Sequence, residues 1–482
     1  MSDGRMIKQN YSPPFESATN QAILPATQNQ KGVMSHQKFE DYITQRRISE
    51  VECLVADMSG TARGKILPPK KFLKGQRSRG LRIPEEVFTL TINGRYVKET
   101  DAVSDSAIDI YMEPDVDTVR MVPWYTEPTA QVICDAYFLN DDPVMISPRH
   151  VLKRVLALYK EKGWRPVVAP ELEFYLVKRN PDSDYPLEAA IGRSGRKEPG
   201  GQAYGIDAAN DFDPVVEDIY DYCEAQELDV DTLSHESGPA QLEINFNHGD
   251  PLDLADQVFL FKRTVRQAAL KHDMYATFMA KPHADEPGSS MHVHQSVLDA
   301  RTGKNIFADK DGKFSKLFHN HIGGLQRYLA AALPLCAPNV NSYRRLVPES
   351  DAPTNVHWGI DNRTVPLRVP SSDATNTRIE NRITGADANP YLAFAASLAC
   401  GYLGMVEKLK PSEPVTGSAY RYAHTLPISL DDALDKLNYC KPLKQVLGEK
   451  FVEAYQDVKF EEMQHYRRVI SSWEREYLLL NV

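Results

Sequence analysis

Arg378-Ile379-Glu380-Asn381-Arg382 alternates charged side chains with uncharged ones. Successive side chains of an extended strand point to opposite faces. Arg378, Glu380 and Arg382 therefore share one face, and Ile379 and Ile383 the other. The same spacing groups Glu171, Glu173 and Tyr175 opposite Leu172, Phe174 and Leu176. It groups Gln241, Glu243 and Asn245 opposite Leu242, Ile244 and Phe246, and Ser290, His292, His294 and Ser296 opposite Met291 and Val293. A row of acids alone would repel itself. Strands whose second faces carry carboxylates, imidazoles and guanidiniums predict one sheet with a charged concave side, suited to divalent cations and anionic substrates.

Each motif also has a plainer reading. Glu171-x-Glu173 alone fits a solvated strand edge, but apolar residues at 167–169 and 174–176 place it in a central strand. Acids buried there need partners or metals. His235-Glu236 and Gln241-Leu242-Glu243 put two more acids across a Gly238-Pro239 turn, without the second histidine of a zinc-protease HExxH. Carboxylate-rich ligation favours Mg²⁺ or Mn²⁺. His292-x-His294 follows Pro287-Gly288-Ser289-Ser290 and fits ligand, phosphate contact or packed core equally. Arg344, Arg345, Arg363, Arg368, Arg378 and Arg382 fit a surface ion-pair network, yet guanidinium forks also suit phosphate and carboxylate oxygens. There is no Walker P-loop and no Rossmann glycine fingerprint, so a bound nucleotide would depend on arginines and metals.

The elements that must position these groups come from a chain of 482 residues, 42% hydrophobic and 25% charged. A formal net charge of -10 argues against a nucleic-acid partner. No apolar run is long enough to span a bilayer, and the start lacks the apolar core of a secretory leader. Cys53, Cys134, Cys223, Cys336, Cys400 and Cys440 form no CxxC pair and read as reduced thiols of a cytoplasmic protein. Residues 1–33 read as a disordered tail, rich in polar residues and proline. Residues 34–142 read as a compact strand-rich domain, with a strand over 51–58, a turn at Ser59-Gly60, a second strand to Leu67, and a basic loop carrying Lys70, Lys71, Lys74, Arg77, Arg79 and Arg82. In residues 143–482 a helix is predicted to start at Ser147-Pro148, with others over 214–226, 252–272, 314–333 and 390–408 and a last one over 448–479. The class is α+β, on an antiparallel sheet.

Six motifs, in order, resemble the glutamine synthetase family: Asp57-Met58-Ser59-Gly60 with Arg63-Gly64-Lys65; Glu171-Leu172-Glu173-Phe174; His235-Glu236 through Glu243; Lys281-Pro282 through His294; Asn341-Ser342-Tyr343-Arg344-Arg345; and Arg378 through Arg382. Ala388-Asn389-Pro390-Tyr391 follows. The resemblance implies a small β-grasp domain, a large catalytic domain on a saddle-shaped antiparallel sheet, and a homo-oligomeric ring, expected as a dodecamer. It implies that Glu173, Glu236 and Glu243 hold one Mg²⁺ or Mn²⁺ and Glu171, His292 and Glu380 another. His294, Ser296, Arg368 and Arg378 would contact ATP, and Gly288, Arg345 and Arg382 would hold glutamate. Arg363 would face the transferring phosphoryl group, and Asp351 would serve in the flap.

Departures from the family pattern bear on the nucleophile. Asp351-Ala352-Pro353 replaces the usual flap Glu-Ala-Pro. Thr91-Ile92-Asn93-Gly94 stands where bulk glutamine synthetases carry Asp-Gly-Ser-Ser, whose Asp helps bind ammonium. Pro287 replaces an Asn, and Ser290 a Gly or Ala. The expected activity is an ATP-dependent ligase that joins the glutamate side-chain carboxylate to a small amine or a polyamine such as putrescine. Glutamine synthetase using ammonium is the alternative. A non-catalytic relative would have lost metal ligands, and all six implied ligands are present.

Overall fold

The alternation seen in the sequence becomes two sheets in the computed structural model, which describes residues 28–97, 100–198, 200–348 and 352–482. The first sheet is built from β1 (Glu50–Ala56), β2 (Ala62–Leu67), β3 (Arg82–Pro84), β4 (Asp109–Pro114), β5 (Arg120–Val122) and β6 (Thr129–Tyr137). Its order is β2-β1-β6-β4-β3, with β5 also on β6. β1 and β6 run parallel, and the other pairs are antiparallel. Helix α1 (Gln28–Gln45) precedes the sheet and takes in residues 28–33 of the expected tail. The rest of that tail up to residue 27 lies outside the described residues.

The expected basic loop is in part a helix, α2 (Pro69–Ser78). Its Lys and Arg residues face outward while Phe72 is buried edge-to-face on Phe39, at 5.2 Å. A proline opens α2 and Arg79, at φ 53°, closes it. One buried aromatic among many charges is too weak a periodicity to read as a helix, although packing decides the matter in its favour.

The second sheet holds β7 (Trp164–Lys178), β8 (Val230–His235), β9 (Gln241–Phe246), β10 (Met274–Thr277), β11 (Met291–Asp299), β12 (Trp358–Ile360), β13 (Leu367–Val369) and β14 (Ile379–Asn381). The order is β12-β13-β14-β11-β7-β9-β8, with β10 on β7, and every pair but β12–β13 is antiparallel. Helices α3 (Pro148–Glu161), α6 (Pro251–Lys271), α7 (Lys316–Cys336) and α9 (Pro390–Glu407) supply the apolar core packed with the sheet, and the chain also forms α4 (Ile206–Asn210), α5 (Asp213–Ala225) and, between α7 and α9, the short α8 (Ser342–Arg345). Ser147 stands at the start of α3 without capping it through its side chain, so Pro148 is the working signal there. The expected last helix is broken into Glu449–Tyr466 and Ser472–Leu478, the second opened by a Ser471–Glu474 capping box. None of the helices described is long and apolar enough to cross a membrane.

Two polar junctions tie the sheets together. Arg149 on α3 donates to Asp256 on α6 at 2.7 and 2.9 Å, to Asp135 on β6 at 2.7 Å and to Asp115 at 2.8 Å. Burial alone would raise the Asp135 carboxyl, but Arg149 and Lys153 outweigh burial and hold it well below the usual range. Asn389 caps α9 with its side-chain oxygen, and its amide donates to the Asp57 carbonyl at 2.8 Å. The Asp57 carboxylate in turn closes its own turn, accepting from Ser59 N, Thr61 N and Arg63 Nε.

Candidate active site

Strand register brings the scattered motifs together. His292 lies opposite Glu171, Glu173 opposite Glu243, and Glu380 opposite both His294 and Arg368. Directly paired residues share a face, so the acids, imidazoles and Arg368 line one side of the second sheet. Arg368 sits inside β13, and Arg378 and Arg382 flank the short β14. The opposite face of these strands is the apolar core, with Leu172, Leu242, Met291, Val293 and Ile379 fully buried.

One half of this face is already charge-balanced. Glu171 meets His294 Nε2 at 2.9 Å and His292 Nδ1 at 3.3 Å. Burial would raise its carboxyl, yet the two imidazole hydrogen bonds hold it well below the ordinary value. Glu380, 1% exposed, accepts from Arg368 at 2.7 Å and from Arg382 at 2.5 Å. Against the upward push of burial, His292, Arg382 and His294 lower it to about 2. Arg378 Nε donates to His294 Nδ1 at 3.2 Å, and Ser296 follows on the same strand face.

The other half is not balanced. Glu173 spends its oxygens on Ser290, accepting from its N at 2.7 Å and its Oγ at 2.6 Å. Glu236 is raised to about 7 by burial and by Glu173. Glu243 is raised further by burial and by repulsion from Glu173, Glu171, Glu236 and Glu380. Ser290 Oγ, 2.9 Å from His292 Nε2, links the two halves. Asn245 Oδ1 is buried on this face, opposite Glu171, and has no hydrogen-bond partner among the described residues. Crowded, raised acids and an orphaned oxygen are a donor set that fits hard divalent cations.

Two clusters have donor atoms within 4.8 Å of one another: Glu171, Glu243 and His292; and Glu171, His294 and Glu380. The resemblance implied other groupings, with Glu173 and Glu236 beside Glu243 and with His294 reserved for ATP. The geometry makes Glu171 the shared member, because Glu173 is turned onto Ser290 and both imidazoles converge on Glu171.

Beside the raised acids opens a cavity of about 220 Å³, lined by Glu173, Glu236, Gly288, Arg345, Arg363 and Arg382 among others. Arg345 is 4% exposed and donates to the carbonyls of Ile383 and Arg382 at 2.8 and 2.9 Å. Gly288 lies so close that a Cβ there would meet Ala280 O at 2.6 Å and Arg345 Cγ at 2.7 Å. A side chain at 288 would displace the guanidinium. Every sequence-predicted site residue is thus on or beside this face except Asp351, which lies outside the described residues. Thr91 and Asn93 do not line the cavity; their turn is held by Glu462, which accepts from Ile92 N at 2.6 Å.

The sequence reading missed Ala203 and Tyr204 as cavity lining, and it named Ser237 and Pro353 only as parts of motifs, without a role. Tyr204 comes from the segment between β7 and α4, which has neither strand nor helix periodicity. Its only signal is the preceding Gly200-Gly201 pair.

The family described as glutamine synthetase, catalytic domain, matches residues 145–478. Gamma-glutamylputrescine synthetase of Escherichia coli (strain K12) is 36% identical over 441 residues, 89% of this chain and 92% of that protein. A glutamate–isopropylamine ligase of a Pseudomonas species is 33% identical, over 93% of this chain and 98% of its own length. A glutamine synthetase of Methanocaldococcus jannaschii is 31% identical over 92% of this chain and 97% of its own. A solved structure described as apo GmaS without ligand superposes with a TM-score of 0.80 at 27% identity, covering 91% of this chain and 98% of that one.

Proposed function

This chain belongs to the glutamine synthetase family, and we propose that it is an ATP-dependent, ADP-forming ligase joining the side-chain carboxylate of glutamate to an organic amine, with a polyamine such as putrescine preferred. The observation that carries the reading is the split face: a charge-balanced Glu171–Glu380 half beside a cavity where raised acids and three arginines converge. Glutamate would sit against Gly288, Arg345 and Arg382, its side-chain carboxylate toward Arg363. ATP would extend along His294, Ser296, Arg368 and Arg378.

Two divalent cations, Mg²⁺ or Mn²⁺, drawn from the ligands Glu171, Glu173, Glu236, Glu243, His292 and Glu380, would screen the charge spread over the transferring phosphoryl group. Arg363 would add a fixed positive charge there. The flap acid Asp351 would accept a proton from the attacking amine as phosphate leaves. Its side chain is one methylene shorter than the family's Glu, which would suit a bulkier nucleophile than ammonium. The likeness to an Escherichia coli gamma-glutamylputrescine synthetase, at 36%, supports an organic amine.

The first sheet would be the family's β-grasp domain, ending near residue 142, and the second its saddle-shaped catalytic sheet. The protein would work in the cytoplasm as a ring, a dodecamer, in which the Thr91–Asn93 turn faces a neighbour's cavity. Light scattering tests the assembly, and a fully active monomer would contradict it. The activity is tested by mass spectrometry of the product from ATP, glutamate and an amine panel: a γ-glutamyl amide formed one-for-one with ADP is expected, and ADP without amide would contradict the reading.

A further inference from the structure

Glu236 and Ser237 reach the cavity from the turn between β8 and β9, and that turn is strained. Ala240 adopts φ 56°, in the left-handed region that a residue with a Cβ rarely occupies. Within the turn, Glu236 N donates to Gln241 O at 2.8 Å and Gly238 N to Gln241 Oε1 at 2.9 Å. These bonds do not engage the Ala240 amide. It donates instead to Glu198 Oε2, at 2.5 Å, from the segment between β7 and α4.

Glu198 also holds the strand leading into the turn. The same Oε2 hydrogen-bonds His235 Nε2 at 3.3 Å, Oε1 lies 3.1 Å from that nitrogen without a hydrogen bond, and the side chains are 9% and 0% exposed. The other ring nitrogen, Nδ1, is 2.7 Å from the Glu236 carbonyl oxygen and donates to it. Glu198 therefore grips the turn at both ends, directly at Ala240 and through His235 at Glu236. The same segment is fastened by Tyr204 N, which donates to His235 O at 2.8 Å. It approaches so closely that a Cβ on Gly201 would lie 2.4 Å from Ser237 O.

We propose that Glu198 is a positioning residue for the reaction: it fixes the β8–β9 turn so that the Glu236 carboxylate and Ser237 stand in the cavity shared with Arg363. This rests on the reading of Glu236 as a metal-holding, phosphoryl-facing group. Groups that orient a ligand without touching the metal commonly matter 10–100-fold to affinity or activity. A carboxylate serves because it accepts from two donors at once. Glutamine keeps an acceptor oxygen for Ala240 N, whereas alanine keeps none.

The test compares wild type with Glu198→Ala, Glu198→Gln and Glu198→Asp. Mn²⁺ binding is followed by loss of the free-ion EPR signal, steady-state ADP release with glutamate and amine is measured, and near-UV circular dichroism checks folding. Glu198→Ala is expected to weaken Mn²⁺ binding about tenfold and lower kcat roughly 10–100-fold, with the KM for ATP within about twofold of wild type. Glu198→Gln should recover most of both losses. Wild-type Mn²⁺ binding and kcat in folded Glu198→Ala would overturn the proposal. Should that variant not fold, Glu198→Asp, whose carboxylate falls one methylene short, takes its place, and wild-type values there would overturn the proposal equally. Failure of Glu198→Gln to recover would also overturn it. Wild type that releases no ADP with any amine would contradict the ligase reading and leave the Mn²⁺ titration to decide the role of Glu198.

Discussion

The two halves of the sheet's polar face differ in what answers their acids. Glu171 and Glu380 are answered from within the chain, by His292, His294, Arg368 and Arg382. Glu236 and Glu243 have nothing comparable among the described residues and are pushed upward by burial and by neighbouring carboxylates, Glu173 first. A finished ion-pair cluster is stable without ligand. A cluster of like charges is a stored demand for cations, and it marks where binding free energy will be released.

The largest effect should come from the balanced half. Glu380→Ala strands Arg368 and Arg382 without their shared carboxylate, and removing one partner of a buried pair costs about 3–5 kcal/mol. Urea unfolding should show that loss, and ADP release should fall by about three orders of magnitude. Unchanged stability and activity would erase the distinction between the halves.

Next in size, the unbalanced half should respond with the opposite sign. In metal-free protein Glu236 is raised from its ordinary value to about 7. Such an acid binds its proton more tightly folded than unfolded. Metal-free stability should therefore fall as pH rises from about 4.5 toward 7, by on the order of 3 kcal/mol. Glu236→Gln should flatten that slope, and saturating Mg²⁺ should flatten it in wild type. A metal-free unfolding curve that strengthens over this range would contradict the assignment. Glu243→Gln should likewise stabilise the metal-free protein while lowering activity about 100-fold.

Asp351→Ala addresses the chemistry beyond both halves. It should slow amide formation more than glutamate phosphorylation, so a rapid-quench burst of ADP should precede slow formation of the amide. Equal slowing of both steps would remove Asp351 as proton acceptor. The smallest effect is expected at the seam. Ser290→Ala removes the hydroxyl between Glu173 and His292 and should cost about 1 kcal/mol, with Mn²⁺ half-saturation raised a few-fold.

The polar faces were legible because a period of two is rigid: once Glu171, Glu243, His292 and Glu380 lie in strands, register leaves them on one side. The long helices were legible as extended apolar-rich runs, and Pro251 and Pro390 open two of them. Which oxygen turns where was not legible. Glu173 faces Ser290 and Glu171 takes both imidazoles through side-chain rotamers, which carry no periodic signal. The Glu198 clamp was hidden because it depends on a close approach between an irregular segment and a turn. Helix α2 was missed because its charges outnumber its buried residues.

The nucleophile decides the central claim most directly. Specificity constants measured side by side for ammonium, a monoamine and putrescine, with saturating ATP, glutamate and Mg²⁺, should be highest for putrescine or a similar amine. If ammonium has the highest value, the chain is a glutamine synthetase with an altered pocket, and the organic-amine reading is contradicted.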